Sequence, residues 1–115
     1  MSLITRPVSW IKAARKEFEK FPEGAKQEIL EALILAAEGR KGEIAKPMKG
    51  LGSGVFEIAF QFRTNAYRVV YALQIGTDIW VVHAFQKKSK TGIKTPKQDI
   101  DLIRQRIKTL KEILK

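Results

Sequence analysis

The chain has 115 residues and a net charge of +10, with 44% hydrophobic and 30% charged residues and no cysteine. This length predicts a single domain over residues 1–115, and the lack of cysteine excludes disulfides and cysteine-ligated metal sites. The longest apolar run, ALILAA at residues 32–37, is too short to span a membrane, so we expect no membrane partner and a cytoplasmic location.

The first 40 residues predict a short strand followed by two helices. Residues 6–11, RPVSWI, are suited to the strand. Between Ile11 and Phe21 the apolar residues recur every three to four positions, which predicts a helix that ends at Pro22. A second helix is predicted over residues 23–38. Its expected buried side consists of Ile29, Leu30, Leu33, Ile34 and Ala37.

Three strands are predicted in the middle of the chain, after a glycine-rich loop at residues 44–54. The first, VFEIAFQFR, alternates strictly, with Ile58 on one face and Glu57 and Ala59 on the other. The strands YRVVYALQI and IWVVHAFQ follow after the short turns TNA and GTD. Turns of this length indicate an antiparallel meander.

The last predicted element is a helix that begins at TPKQD. Thr95 is suited to be its N-cap, Pro96 its first residue and Gln98 the capping-box partner. Its apolar stripe is formed by Ile100, Ile103, Ile107, Leu110 and Leu114. The order of strand, helix, helix, three antiparallel strands and helix predicts an α+β fold, in which helices pack on a curved antiparallel sheet.

Positive charge is concentrated in the last third of the chain. From His83 onward there are ten Lys and Arg against three Asp and Glu, a net charge of +7, whereas the first 82 residues carry twelve against nine. This distribution favours a polyanionic partner: nucleic acid, an acidic protein surface or anionic lipid.

Arginine and lysine side chains cluster around one predicted sheet face. If the helices cover the apolar face of the meander, the other face presents Gln61, Arg63 and Arg68. Lys49 and the lysines of residues 87–90 lie in flanking loops, so the face is suited to grip a phosphate chain. The alternative is a solvated face with neutralising pairs, such as Glu57 with Arg63.

His83, the only histidine, lies in the third meander strand with Ile79, Val81 and Phe85. A hydrogen-bonded structural histidine and a general acid or base are both consistent with this position. One histidine without cysteine provides too few ligands for zinc. The glycine-rich segment GLGSG is not a nucleotide-binding loop, because such a loop follows a strand and opens a helix, whereas GLGSG leads into a strand. We therefore expect no metal and no other cofactor.

The segments KGLGSGVFEI, YRVVYAL and VVHAFQKKSKTGIKTPKQDIDLIRQR resemble the RelE/HigB-like toxin superfamily, in its phage-derived HigB-type branch. The resemblance covers residues 8–108, and its most specific part is HAFQKKSK followed by TP and a basic helix. It implies the toxin of a type II toxin–antitoxin pair, acting as a ribosome-dependent mRNA endoribonuclease. The implied partners are mRNA, the ribosome and a cognate antitoxin, a small DNA-binding protein.

The resemblance also implies a reaction without metal, in which a ribose 2′-OH attacks the adjacent phosphate. By position, Arg68 is implied to contact the scissile phosphate, and Lys87 and Lys88 to stabilise its charge. His83 is implied as an acid or base. The residues expected to bind RNA are Lys49, Gln61, Arg63, Lys90 and Lys94.

One position departs from the family pattern. Many relatives carry an arginine where this sequence has Ala59, with Arg63 or Gln61 as possible substitutes on the same face. The alternative hypothesis is therefore a non-catalytic basic module that binds RNA or an antitoxin. A third hypothesis is a basic phage structural or DNA-binding protein, although the sequence shows no helix-turn-helix pattern.

Overall fold

The structure, a computed structural model, describes residues 5–88 and 95–114, with Lys88 described by its backbone alone. Helices and a mixed sheet make up this part of the chain, and the predicted α+β class is confirmed. The elements are β1 Val8–Trp10, α1 Lys12–Phe18, α2 Glu23–Ala37, β2 Ala45–Pro47, β3 Val55–Phe62, β4 Asn65–Ala72, β5 Ile79–Lys88 and α3 Lys97–Ile113. None of the helices in the described ranges is long and apolar enough to cross a membrane.

The sheet has the strand order β1-β5-β4-β3-β2 and is not purely antiparallel. β1 runs parallel to β5, while the other pairs are antiparallel, which includes the predicted meander. β2 was expected to be part of a loop. Pro47 is tolerated there because β2 is an edge strand, where a missing N–H leaves no central ladder bond unmade.

Both faces of the sheet are covered by helices. α1 and α2 pack on the face that carries Val69 and Tyr71 of β4. α3 packs on the opposite face, where Ile103 joins Val70 and Val82. The expectation that one face stays open therefore needs correction: β4 is apolar on both faces over most of its length, and a strand of this kind is stable only between two layers.

A β-bulge in β5 determines the face on which His83 lies. Val70 pairs with His83, but the next residue of β4, Tyr71, pairs with Val81, so Val82 is the extra residue. Val81 packs under α1 and α2, whereas Val82 packs under α3. The inserted residue reverses the alternation, and His83 faces α3 instead of sharing a face with Val81.

The buried side of α2 differs from the predicted one. Leu30 and Ile34 are 42% and 55% exposed, and small residues occupy much of the helix–sheet contact instead. The buried residues are Ala25, Ile29, Ala32, Leu33, Ala36 and Ala37. Their three-to-four spacing forms a stripe rotated away from Leu30 and Ile34, and the alanines allow the helix to lie close to the sheet. The prediction that Leu30 and Ile34 are buried is wrong.

Two isoleucines on α2 provide a test of this orientation. Ile29→Ala is expected to lower the free energy of unfolding by about 2–5 kcal/mol, because the side chain is fully buried. Ile34→Ala removes the same atoms from an exposed site and is expected to change it by less than about 0.5 kcal/mol. Urea denaturation of both variants measures the difference, and equal losses would contradict the observed face of α2.

Candidate functional site

Side chains from β3, β4 and β5 converge on the sheet face near the start of α3. Arg68 of β4 lies between Ala59 of β3 and Phe85 of β5. Gln61 and Lys87 occupy the next row of the same face, two residues along their strands. The predicted sharing of one face by Arg68 and Gln61 is therefore present in the fold, whereas Lys87, expected in a flanking loop, lies in β5 because that strand continues to Lys88.

Arg68 is buried in an ion pair with Glu57. Its Nη1 lies 3.2 Å from Oε1 of Glu57, and the two side chains are only 6% and 15% exposed. The second carboxylate oxygen of Glu57 accepts a 2.6 Å hydrogen bond from the Thr95 hydroxyl. A carboxylate held between an arginine and a hydroxyl connects β3, β4 and the segment that leads into α3.

Thr95 does not act as the N-cap of α3. The helix begins at Lys97 after Pro96, and no side chain caps it, so the predicted capping box is wrong. The Thr95 hydroxyl, which was expected to cap the helix, instead donates a hydrogen bond to Glu57. A charge-assisted hydrogen bond to a half-buried carboxylate takes the place of a backbone cap.

Both ring nitrogens of His83 are engaged by side chains of α3. Nε2 lies 2.7 Å from Oδ1 of Asp99, and Nδ1 lies 3.0 Å from Nη1 of Arg106. The guanidinium can only donate, so Nδ1 is the acceptor, and Nε2 bears the proton that it donates to Asp99. Arg106 also donates to the Val82 carbonyl at 2.9 Å, and burial lowers its pKa. Of the two interpretations of His83, this geometry favours the hydrogen-bonded structural one.

Removing the guanidinium of Arg106 is expected to cost about 1–3 kcal/mol of unfolding free energy, because Arg106→Met leaves acceptors of His83 and Val82 without their donor. The ¹⁵N shift of Nδ1 should also change, because this nitrogen loses its hydrogen-bond donor, whereas Nε2 keeps its proton on the hydrogen bond to Asp99. Arg104→Met is the matched control on the same helix: Arg104 is exposed, and its loss is expected to cost less than about 0.5 kcal/mol. An unchanged ring spectrum in Arg106→Met would contradict the assigned hydrogen bonds.

Arg63 lies away from the candidate site. β3 ends at Phe62, and Arg63 occupies the following turn with a φ of 59°. Its guanidinium lies 5.4 Å from the centre of the Phe62 ring, and it lines a cleft with Pro22 and Glu23 beside α2. The prediction that Arg63 shares a face with Gln61 and Arg68, or pairs there with Glu57, is wrong. The reason is that β3 ends one residue before Arg63, so strand alternation no longer determines the direction of its side chain.

Of the other predicted residues, Lys49 and the backbone of Lys88 are described. Lys49 is exposed in the loop between β2 and β3. The backbone of Lys88 pairs with Asn65 at the end of the sheet. Lys90 and Lys94 lie outside the described residues. Within the described ranges, no group of three His, Asp or Glu side chains is arranged to hold a metal ion.

The structure also brings four other residues to this site: Glu57 and Thr95, which were expected in other roles, and Asp99 and Arg106, which were not expected here. The sequence contained a signal for two of the pairings, that of Glu57 with Arg68 and that of Asp99 with Arg106 on one side of α3. Strand alternation places Glu57 on the face of Arg68 once β3 and β4 are paired. Asp99 and Arg106 are seven residues apart, and that spacing brings two side chains to one face of a helix.

The fold is that of the RelE-like toxins, a class of small α+β proteins. The structure is similar to an arginine-to-alanine double mutant of Escherichia coli toxin RelE in the free state, with 15% identity and a TM-score of 0.62 over 91% of this chain and 97% of that one. It is similar to the isolated E. coli RelE toxin at 16% identity, with a TM-score of 0.57 over 86% and 97%.

Residues 16–108 match the family described as phage derived protein Gp49-like (DUF891), and the chain belongs to this family. The RelBE2 toxin–antitoxin complex from Mycobacterium tuberculosis is more distant in structure, with 20% identity and a TM-score of 0.49 over 73% of this chain and all of that one. Compared with curated protein sequences, the chain has no significant match. The predicted membership of the RelE-like superfamily is confirmed.

Proposed function

We propose that this protein is the toxin of a type II toxin–antitoxin pair and cleaves mRNA on the ribosome. Its partners in this proposal are mRNA, the ribosome and a small DNA-binding antitoxin, all in the cytoplasm. Membership of the Gp49-like family and the RelE-like fold support the toxin class. The net charge of +10 supports a polyanionic substrate.

The observation that carries the proposal is the buried Arg68–Glu57 pair, with Lys87 in the next row of the same face. Endonucleolytic cleavage through the 2′-OH needs a cation beside the phosphate and a proton acceptor beside the hydroxyl. Arg68 and Glu57 supply these two groups 3.2 Å apart. Lys87 adds positive charge on this face, two residues beyond Phe85, and Lys88 follows it at the end of β5.

The proposed reaction breaks one P–O bond and forms another. The ribose 2′-OH gives its proton to Glu57 and attacks the adjacent phosphorus, while the bond to the 5′ oxygen breaks and this oxygen takes up a proton from water. The products are a 2′,3′-cyclic phosphate and a 5′-OH. Arg68 and the lysines stabilise the additional negative charge on the phosphoryl oxygens as it develops.

Arg68 must become accessible for this reaction, because its side chain is 6% exposed. Arginine has five N–H donors and can bind a phosphate while it keeps a carboxylate partner. The proposal therefore includes a local opening around Arg68 when RNA binds. His83 is a positioning residue in this scheme, since both of its ring nitrogens are held by α3.

Mapping of cleavage sites tests the proposal. Purified protein is added to ribosomes translating a defined message, and the new 5′ ends are located by primer extension. We expect cuts inside the reading frame that require translation, and 5′-OH termini at those cuts. Intact message in the presence of folded, ribosome-bound protein would contradict the proposed activity.

A second candidate function is a non-catalytic module that binds RNA or an antitoxin. It is favoured by Ala59, the direct neighbour of Arg68 on β3, where the family resemblance leads us to expect an arginine. The same mapping experiment separates the two functions, because a binding module protects RNA without producing new ends. Ala59→Arg would then be the variant to examine for a gain of cleavage.

A further inference from the structure

A groove at the opposite edge of the sheet contains both tryptophans of the chain. It has a volume of about 550 Å³ and lies between β1, α1 and the start of β5. Its lining consists of Val8, Ser9, Trp10, Lys12, Arg15, Lys16 and Trp80. Trp10 and Trp80 are half-buried, whereas the three cations are exposed. The volume falls within the range of about 300–1,000 Å³ that is usual for ligand sites.

The groove combines aromatic and cationic groups with little opposing charge. None of the described residues that line it is acidic. Arg15 has an exposed ion pair with Glu19 at 3.3 Å, an interaction that contributes little in water. Asp78 lies at one end, where it accepts a hydrogen bond from Ser9. Lys12 and Lys16 are thus available to a polyanion beside two indole rings.

We propose that this groove binds single-stranded RNA, with a base against an indole ring and phosphates at Lys12 and Lys16. Stacking on aromatic side chains together with cations along the backbone is the usual chemistry of single-strand recognition. A neighbouring groove shares Trp10 and Arg15 but contains Glu19 and Glu23, so its mixed charge is unsuited to the same ligand. The inference rests on the proposed function only for the identity of the polyanion as RNA.

The groove is separate from the Arg68 face. Trp80 lies near the start of β5 and Lys87 near its end, seven residues or about 23 Å along the strand. An RNA strand that spans this distance over the protein surface would contact both places, since the middle of β5 itself is buried. The groove then acts as a second contact that fixes the position of the RNA on the protein.

Intrinsic fluorescence reports on this groove, because Trp10 and Trp80 are the only tryptophans in the sequence. The full-length protein is titrated with a 2′-O-methyl oligonucleotide of about ten residues, which cannot be cleaved by 2′-OH attack. We expect saturable quenching of tryptophan emission. Quenching by poly-glutamate to the same extent would make the groove an acidic-peptide site and overturn the RNA assignment, as would an absence of quenching while a labelled oligonucleotide still binds elsewhere.

Charge variants show whether the groove contributes to affinity. Lys12→Gln combined with Lys16→Gln is expected to reduce the slope of log affinity against log salt by about 1.4, since each phosphate contact on a single strand contributes about 0.7. Lys41→Gln with Lys111→Gln removes the same charge from exposed positions outside the groove and should retain the quenching. Equal salt slopes for the two double variants would overturn the proposal.

An aromatic variant tests the stacking contact. Trp80→Leu keeps an apolar side chain against the α3 cluster and is expected to weaken oligonucleotide binding about tenfold, with Trp10 as the remaining reporter. Unchanged affinity in a variant with wild-type thermal stability would contradict the contact. These measurements use no cleavage, so they can fail while the proposed nuclease activity holds, and they can succeed while it fails.

Discussion

Arg68→Ala is expected to lower the free energy of unfolding by about 3–5 kcal/mol, because it leaves the carboxylate of Glu57 without its cation in a largely buried site. Removal of one partner from a buried pair costs far more than the net contribution of the pair. Urea or thermal denaturation measures the loss. A stability close to that of the wild type would contradict the buried ion pair.

A double-mutant cycle separates the free energy of the ion pair from the effects of the two individual side chains. Glu57→Ala is expected to be destabilising as well, whereas the double variant should lose less than the sum of the two single losses. The same consideration affects any activity assay, since loss of toxicity in Arg68→Ala can arise from unfolding alone. Arg68→Lys keeps a positive charge beside Glu57 and is the better variant for measuring catalysis.

Replacing Lys87 and Lys88 together by alanine is expected to reduce the rate of message cleavage by about 10²–10³-fold. The reason is that charge aimed at the developing phosphoryl anion acts mainly on the transition state. Single-turnover cleavage on translating ribosomes measures the rate, and a denaturation curve shows whether the variant is folded.

The matched control replaces Lys41 and Lys111 by alanine, which removes the same charge from exposed positions away from the strand face. It should cleave at the wild-type rate apart from a small loss of ribosome affinity. If the two double variants are equally slow, the effect belongs to overall charge, and the assignment of Lys87 and Lys88 is incorrect.

Local patterns predicted most of the elements of this fold. Strict alternation located β3, and the apolar stripe with its proline and glycine boundaries located α2 and α3. The short strand β2 was missed because three residues with a proline carry no periodic signal. The parallel pairing of β1 with β5 depends on contacts between residues about 70 positions apart, and no local pattern encodes such pairing.

The candidate site was predicted less completely, for reasons that are also physical. The bulge at Val82 moved His83 to the other face, and a one-residue insertion has no sequence signature within an apolar strand. Arg68 was correctly placed on the face of Gln61, but Lys87 was expected in a loop and lies in β5, and the burial of Arg68 against Glu57 depends on how α3 covers the face. The packing of α3 against this part of the sheet joins residues far apart in the sequence, so it is visible only in the structure.

Cleavage of a message that carries one 2′-deoxynucleotide at the mapped cut tests the central claim most directly. The protein is added to ribosomes stalled with that position available, beside the unmodified message. We predict that the unmodified message is cut to a 2′,3′-cyclic phosphate and that the deoxy substitution abolishes the cut. Cleavage that continues at the deoxy position, or an unmodified message that stays whole, would contradict 2′-OH attack at the Arg68 face.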